Sequence, residues 1–301
     1  MAIFQKDLFE EIRNRAIQRG SKTSYHIHVN DEQERIENIN DMSSFYGPIL
    51  DEIISEYCDE KPPLFGNVML STINRCNGHC SFCAACMDVD TRIPKRMDEE
   101  LLDNVLMQLA ELQYNGRITL NGLNEPFMDN RMGQIIKKIS EMVPNARIHI
   151  ITNGTLLTKK NLDDIFPLCS KIHINCYGDG KTVPDRIKKL CEPYTGTTKL
   201  KIEPRYQVDV LSQFGENECG RTQKNVMTCA CIMPYNTISV TPSGIVNLCI
   251  SDISDKYIVG DLNRESLLEI WYSKKMELYR SLMKGGRQNI ALCKECDMFC
   301  F

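Results

Sequence analysis

Nowhere in the 301 residues is there a run of the roughly 20 apolar residues that a membrane-spanning helix requires. The opening stretch, MAIFQKDLFEEIR, is acidic and mixed where a secretory signal would be basic and then apolar. The expected location is therefore the cytoplasm, with no membrane partner. Positive charge is also sparse: the formal net charge is −4, and lysine pairs such as Lys159 and Lys160 are scattered. Nothing resembles the basic patch that a polyanion needs, so nucleic acid is not expected as a partner. Five histidines without HExxH spacing, and no GxxxxGK[ST] loop, set aside zinc peptidases and P-loop NTPases. There is no low-complexity tract and no fixed-period repeat.

Cysteine, by contrast, is abundant. Fifteen thiols, an odd number, in a chain expected to stay in a reducing compartment argue against a disulfide framework and for metal or redox chemistry.

Residues 1–65 read as an N-terminal helical extension, with helical apolar spacing from Ile3 to Gly20 and again near Leu50 to Tyr57. From residue 66 to 215, short β-rich runs alternate with helical patterns: NVMLSTI, RITLN, RIHIIT, KIHINC and KLKIEPRY, with helices predicted over 98–112, 131–142, 158–166 and 183–190. Repeated strand–helix alternation is the pattern of an α/β fold, a parallel sheet with crossover helices, open or curved into a partial barrel. After residue 216 the texture changes. NTISVTPSGIVNLC reads as a β-hairpin about Pro242-Ser243-Gly244, and a helix is predicted from Arg264 to Lys284 before Gly285-Gly286. Residues 216–301 are thus expected to form a second, smaller unit.

The first strand runs into CNGHCSFC, which spaces Cys76, Cys80 and Cys83 as CxxxCxxC. Three thiolates so placed can hold three irons of a [4Fe-4S] cube and leave the fourth open for chemistry. A structural zinc site prefers CxxC pairs; Cys80, Cys83 and Cys86 alternatively give CxxCxxC, with no fourth cysteine three residues on. The loop resembles the signature of the radical S-adenosylmethionine (SAM) enzymes. That resemblance implies a partial (β/α) TIM-like barrel over about 150 residues, SAM chelated by the open iron, and reductive cleavage to a 5′-deoxyadenosyl radical that takes a hydrogen atom from substrate. It also implies that Phe82 packs beside the adenine.

Family members often close the second strand with Gly-Gly-Glu-Pro, which holds the SAM amino group; here the turn is Leu123-Asn124-Glu125-Pro126. Glu125 keeps the acceptor, while Leu and Asn replace both glycines; Asn124 to Pro126 also fits a plain turn before a helix. Thr152 and Asn153 end the third strand at the carboxyl edge where parallel sheets meet ligands, although Asn-Gly is an ordinary turn as well. Asn175 and Arg205 end later strands in the same position, and they complete the candidate cofactor and catalytic set on that edge.

A second cysteine set lies downstream. Cys231 and Cys249 flank the hairpin, and Cys293 and Cys296 form a CxxC. Taken alone, four such thiols suit zinc as well as an iron–sulfur cluster. The order CxxP, Gly244, Cys249, CxxC resembles the SPASM and shorter twitch extensions of radical SAM enzymes, and with the chain carrying Cys300 near its end, one auxiliary [4Fe-4S] cluster is implied. Cys229 stands two residues from Cys231 as an alternative ligand.

A fully ligated auxiliary cluster suits electron transfer, which implies oxidation of an alcohol carbon, by resemblance in a carbohydrate or aminocyclitol-like substrate. An external donor such as flavodoxin or ferredoxin would supply electrons. Two other activities remain open: redox-neutral epimerisation of a sugar or peptide with Cys176 or Cys300 as hydrogen donor, and peptide maturation. A non-catalytic electron carrier or zinc scaffold is the reading from a different class.

Overall fold

The computed structural model describes residues 4–20, 32–59, 61–80, 83–88, 90–206, 227–294 and 296. Helices α1 (Leu8–Gln18) and α2 (Glu32–Cys58) precede four strand–helix steps and a fifth strand: β1 (Asn67–Leu70), α3 (Glu99–Glu111), β2 (Arg117–Thr119), α4 (Met132–Met142), β3 (Arg147–Thr152), α5 (Lys159–Ile165), β4 (Lys171–Gly178), α6 (Asp185–Cys191) and β5 (Leu200–Tyr206). The five strands pair in chain order and all parallel. Sequential parallel strands joined by crossovers of one hand keep every helix on one face, and the sheet curls into a partial barrel. The strand composition follows from this. Val68, Ile118, Ile148, Ile150, Ile172 and Ile174 are buried beneath the helices, while Asn67, Thr119, His173 and Asn175 lie on the alternate, inner face.

The sheet continues beyond residue 216. A short helix α7 (Met233–Asn236) leads into β6 (Thr237–Val240), which pairs parallel with β1; β7 (Ile245–Asn247) and β8 (Ile258–Asp261) follow antiparallel. Gly244, at φ +84 in the turn between β6 and β7, takes a backbone conformation open to glycine. The order across all eight strands is β5-β4-β3-β2-β1-β6-β7-β8. Strand β8 carries no clear alternation and was not predicted.

Two helical expectations change. The helix predicted near Leu50 begins at Glu32 and passes through Pro48. Burial of Tyr46, Ile49, Leu50, Ile53 and Ile54 keeps it continuous across the proline. The helix expected from Arg264 to Lys284 is two, α8 (Leu267–Trp271) and α9 (Lys274–Lys284). Ser266 and Ser273 each cap an N-terminus through the side chain, and the second cap restarts the helix in a new direction.

The N-terminal segment closes the amino end of the barrel. Asp7 caps α1 and takes hydrogen bonds of 2.9 Å from both Arg117 and Arg147, the first residues of β2 and β3. Leu8 N donates to Asn236 Oδ1 at 2.8 Å, and Trp271 Nε1 donates to Pro63 O at 3.0 Å, so the N-terminal segment is tied to the C-terminal part of the chain as well. Among the described residues no helix is long and apolar enough to cross a membrane.

Candidate active site

Beyond β1 the chain forms the loop carrying Cys76, Cys80 and Cys83. Short backbone bonds wind it: Cys83 N to Cys80 O at 3.0 Å, Cys86 N to Cys83 O at 2.9 Å and Met87 N to Gly78 O at 2.9 Å. Gly78 N also donates to Cys76 Sγ at 3.3 Å. Burial pushes the Cys76 thiol up to about 11 and the Cys80 thiol up to about 12, with neighbouring cysteines adding to the rise. Iron stabilises the thiolate and reverses that preference, so this donor set fits a cluster gripped by three cysteines. Cys86 is buried against the same loop, its sulfur 3.6 Å from Asp88 Oδ2.

An ion-pair clamp that sequence reasoning missed holds the loop. Asp90 receives Arg75 Nη1 at 2.7 Å and Arg92 Nε and Nη2 at 2.9 Å. Burial alone would raise the Asp90 carboxyl; the hydrogen bonds and charges of Arg92 and Arg75 outweigh it and hold the group below its ordinary value. Arg92 Nη2 also donates to Leu123 O at 2.9 Å, and Glu125 N donates to Arg75 O at 2.9 Å. The clamp thereby fastens the cysteine loop to the turn after β2. Its only trace in sequence is an acid between two arginines.

The predicted edge residues come together in one network. Glu125 is 2% exposed and accepts from Thr152 Oγ1 at 2.6 Å, Asn153 N at 2.7 Å and Phe127 N at 3.2 Å. Burial raises its carboxyl even against those hydrogen bonds. Asn153 Nδ2 donates to Asn77 Oδ1 at 2.8 Å, and Asn77 Nδ2 donates to Thr155 Oγ1 at 2.8 Å, which zips the edge of β3 to the cysteine loop. Gly154 makes the turn possible: its φ is +73, and a Cβ there would come within 2.7 Å of Ile174 Cγ2. Asn124 Oδ1 caps Gly122 N at 2.5 Å, leaving its Nδ2 buried without a protein partner among the described residues.

Arg205 is the penultimate residue of β5, but Asn175, expected at a strand end, lies inside β4, which keeps its pairing with β5 as far as Gly178. Glu203, paired in register with Asn175, holds Arg205 Nη2 at 3.0 Å and His173 Nε2 at 2.9 Å. Asn175 Oδ1 and Arg205 Nε are buried with no protein partner among the described residues. Cys176 is 4% exposed and lines a cavity of about 320 Å³ with Cys80, Asn153 and Tyr177. Phe82 and Cys300 lie outside the described residues.

Cys231, Cys249, Cys293 and Cys296 line one small cavity together with Met283 and Arg287. Four thiols on one wall are a donor set that can hold a [4Fe-4S] cluster. Burial raises the Cys231, Cys249 and Cys293 thiols, the second to about 12. Arg287, 1% exposed, is the cation beside them. The alternative cysteine, Cys229, is absent from that wall and faces α2, its Cβ 3.4 Å from where a Cβ on Gly47 would stand.

Comparison with known proteins agrees with this geometry. Residues 70–200 match the radical SAM superfamily, and residues 229–297 match SPASM, an iron-sulfur cluster-binding domain. Among curated proteins, the S-adenosyl-L-methionine-dependent 2-deoxy-scyllo-inosamine dehydrogenase of Niallia circulans is 26% identical over 237 residues, covering 78% of this chain and 93% of that protein. The crystal structure of BtrN in complex with AdoMet and 2-DOIA superposes with a TM-score of 0.68 at 25% identity, over 79% of this chain and 94% of that one. Native anSMEcpe with bound AdoMet shares the fold at a TM-score of 0.52 and 14% identity, over 77% and 92% of the two chains. The chain belongs to the radical SAM superfamily and carries a SPASM-type iron–sulfur domain on the C-terminal side of its partial barrel.

Proposed function

We propose that this enzyme oxidises a secondary alcohol of an aminocyclitol or related carbohydrate-like ring to a ketone. The observation that carries this is the pairing of a three-cysteine loop with a separate four-cysteine cavity across neighbouring strands β1 and β6. Bound at these sites, the two clusters and SAM supply reductive cleavage to a 5′-deoxyadenosyl radical, hydrogen abstraction from the carbinol carbon and an acceptor for the electron left behind.

The chain's own residues arrange that chemistry. Cys76, Cys80 and Cys83 hold the catalytic cluster, and Cys231, Cys249, Cys293 and Cys296 hold the auxiliary one. Asn124, Glu125, Thr152, Asn153 and Asn175 form the edge against which SAM lies, beside the unsatisfied atoms of Asn124 and Asn175. Arg205, fixed by Glu203, faces the same edge and stabilises negative charge on substrate or cofactor. The substrate class follows the name of the Niallia circulans relative.

A second reading, redox-neutral epimerisation, is favoured by the position of Cys176 on the cavity wall beside Cys80. Burial raises that thiol and keeps its hydrogen in place. Anaerobic turnover of 2-deoxy-scyllo-inosamine in deuterated water separates the two. Dehydrogenation yields a product lighter by two hydrogens with one 5′-deoxyadenosine per ketone; an isomer carrying one carbon-bound deuterium overturns it in favour of Cys176.

A further inference from the structure

A cavity of about 440 Å³ opens at the carboxyl edge of β1 and β6, apart from the cysteine-lined cavity and from the edge network around Glu125. Three walls define it. One is the segment after β1 that leads into Cys76, represented by Ser71 and Asn74. Another is the loop around Ile93, which Asn74 holds through Nδ2 to Ile93 O at 2.7 Å and through Oδ1 from Lys95 N at 2.8 Å. The third is the stretch that follows Cys249, represented by Ile250 and Ile253. Leu123 reaches it from the turn after β2. The cavity is thus bounded by chain on both sides of the first cysteine loop and by the segments on either side of Cys249.

Its polar lining is specific. Ser239 and Asn247, each 5% exposed, are register partners on β6 and β7. Directly opposed residues on antiparallel strands bring their Cβ atoms to about 5 Å. Ser239 Oγ and Asn247 Oδ1 are both buried without a protein partner among the described residues. The orientation of the Asn247 amide is fixed, because its Nδ2 donates to Asp255 Oδ1 at 2.7 Å and to Asp252 O at 3.2 Å, both acceptors. Asn247 therefore offers an acceptor, and Ser239 beside it offers a hydroxyl that both gives and takes. A buried polar atom left unpaired is destabilising, so this pair calls for a ligand. The rest of the lining mixes apolar side chains, among them Met69, Leu123, Ile250 and Ile253, with polar and charged ones such as Arg92, Lys95 and Asp255, and the volume falls in the range of about 300–1,000 Å³ that small-molecule sites occupy.

We infer that this cavity binds the substrate, with Ser239 and Asn247 together engaging two adjacent oxygen or nitrogen substituents, a vicinal diol or amino alcohol, on a small saturated ring whose faces rest on the isoleucines. Vicinal substituents match two opposed side chains on neighbouring strands, and isolated hydroxyls do not. The inference rests on the dehydrogenase reading above and adds the residues that select the ring.

The test uses the anaerobically reconstituted holoenzyme with SAM and 2-deoxy-scyllo-inosamine as probe. Equilibrium dialysis measures probe binding, and ketone and 5′-deoxyadenosine report turnover. Ser239→Ala is expected to weaken probe binding about tenfold, and Ile253→Trp, which places a larger ring at the wall, to abolish it, while iron content and SAM binding stay at wild-type levels. Wild-type binding in both variants would overturn the cavity assignment even where ketone still forms. If the wild type binds the probe, the variants lose it, and no ketone appears, the cavity stands and the dehydrogenase reading falls. A wild type that does not bind the probe overturns the ring chemistry proposed here.

Discussion

Asp90 shows how much at the residue scale depends on a group that no motif announces. Its side chain is 4% exposed and joined to two arginines, so Asp90→Asn leaves Arg75 and Arg92 without their counter-charge. Breaking a buried pair from one side costs about 3 kcal/mol, and the expected result is a lower urea midpoint together with fewer irons per chain. Unchanged iron content would mean that the clamp does not hold the cysteine loop. His173 behaves differently. Burial lowers its pKa to about 4 despite the negative charge of Glu203 and the hydrogen bond His173 donates to it, against an ordinary 6.5. The unfolded chain then binds the proton first as pH falls, so stability is complete above pH 6.5 and declines toward pH 4. The loss at pH 5 is about 2 kcal/mol from this group. His173→Gln should flatten the slope of stability between pH 7 and pH 5, and an unaltered slope would show the drop to have another source. The two cysteine sets and the turn carrying Glu125 were legible in the sequence because spacing carries them. The clamp and the Glu203–His173–Arg205 cluster were not, because Arg75 reaches Asp90 only across a loop and His173 reaches Glu203 only across neighbouring strands.

Among the elements, the hairpin β6–β7 lies in the chain between Cys231 and Cys249, which with Cys293 and Cys296 are the proposed ligands of the auxiliary cluster. Substituting Cys293 and Cys296 with alanine is expected to remove about four irons per chain and leave the other four; full iron retention would contradict the assignment. Arg287 sits in the same cavity, 1% exposed. A buried cation beside an all-thiolate cluster favours the reduced form, so Arg287→Gln is expected to lower the auxiliary midpoint potential by roughly 100 mV. An EPR-monitored titration reads this directly, and a potential at the wild-type value would remove Arg287 from the account. Period-2 and period-3.6 patterns gave β3, α3 and α4 to within a residue or so, because one face of each is buried. Pattern failed where tertiary contact decides. The tertiary burial around Pro48 carries α2 through a proline, and the Ser273 cap splits what periodicity reads as one helix. The β8 strand is too short and too mixed to signal itself.

For the molecule as a whole, one sheet links everything. Strand β6 adds in parallel to β1, so the strand that leads into the first cysteine set and the hairpin that separates Cys231 from Cys249 in the chain share one sheet. Sequence texture suggested a break near residue 216 because composition changes there, yet hydrogen bonding crosses it. The N-terminal segment closes the opposite end through Asp7, whose carboxylate answers both Arg117 and Arg147. Asp7→Ala leaves a buried guanidinium uncompensated and is expected to cost about 3–5 kcal/mol, seen as a lower thermal midpoint; a midpoint equal to wild type would show the closure to be incidental. The central claim is that seven cysteines hold two clusters, only one of which activates SAM. The most direct measurement compares the wild type with Cys76→Ala/Cys80→Ala/Cys83→Ala after anaerobic reconstitution, reading iron per chain and 5′-deoxyadenosine formed from SAM under a strong reductant. The account predicts about eight irons and SAM cleavage in the wild type, about four irons and no cleavage in the variant; cleavage that persists in the variant would contradict it.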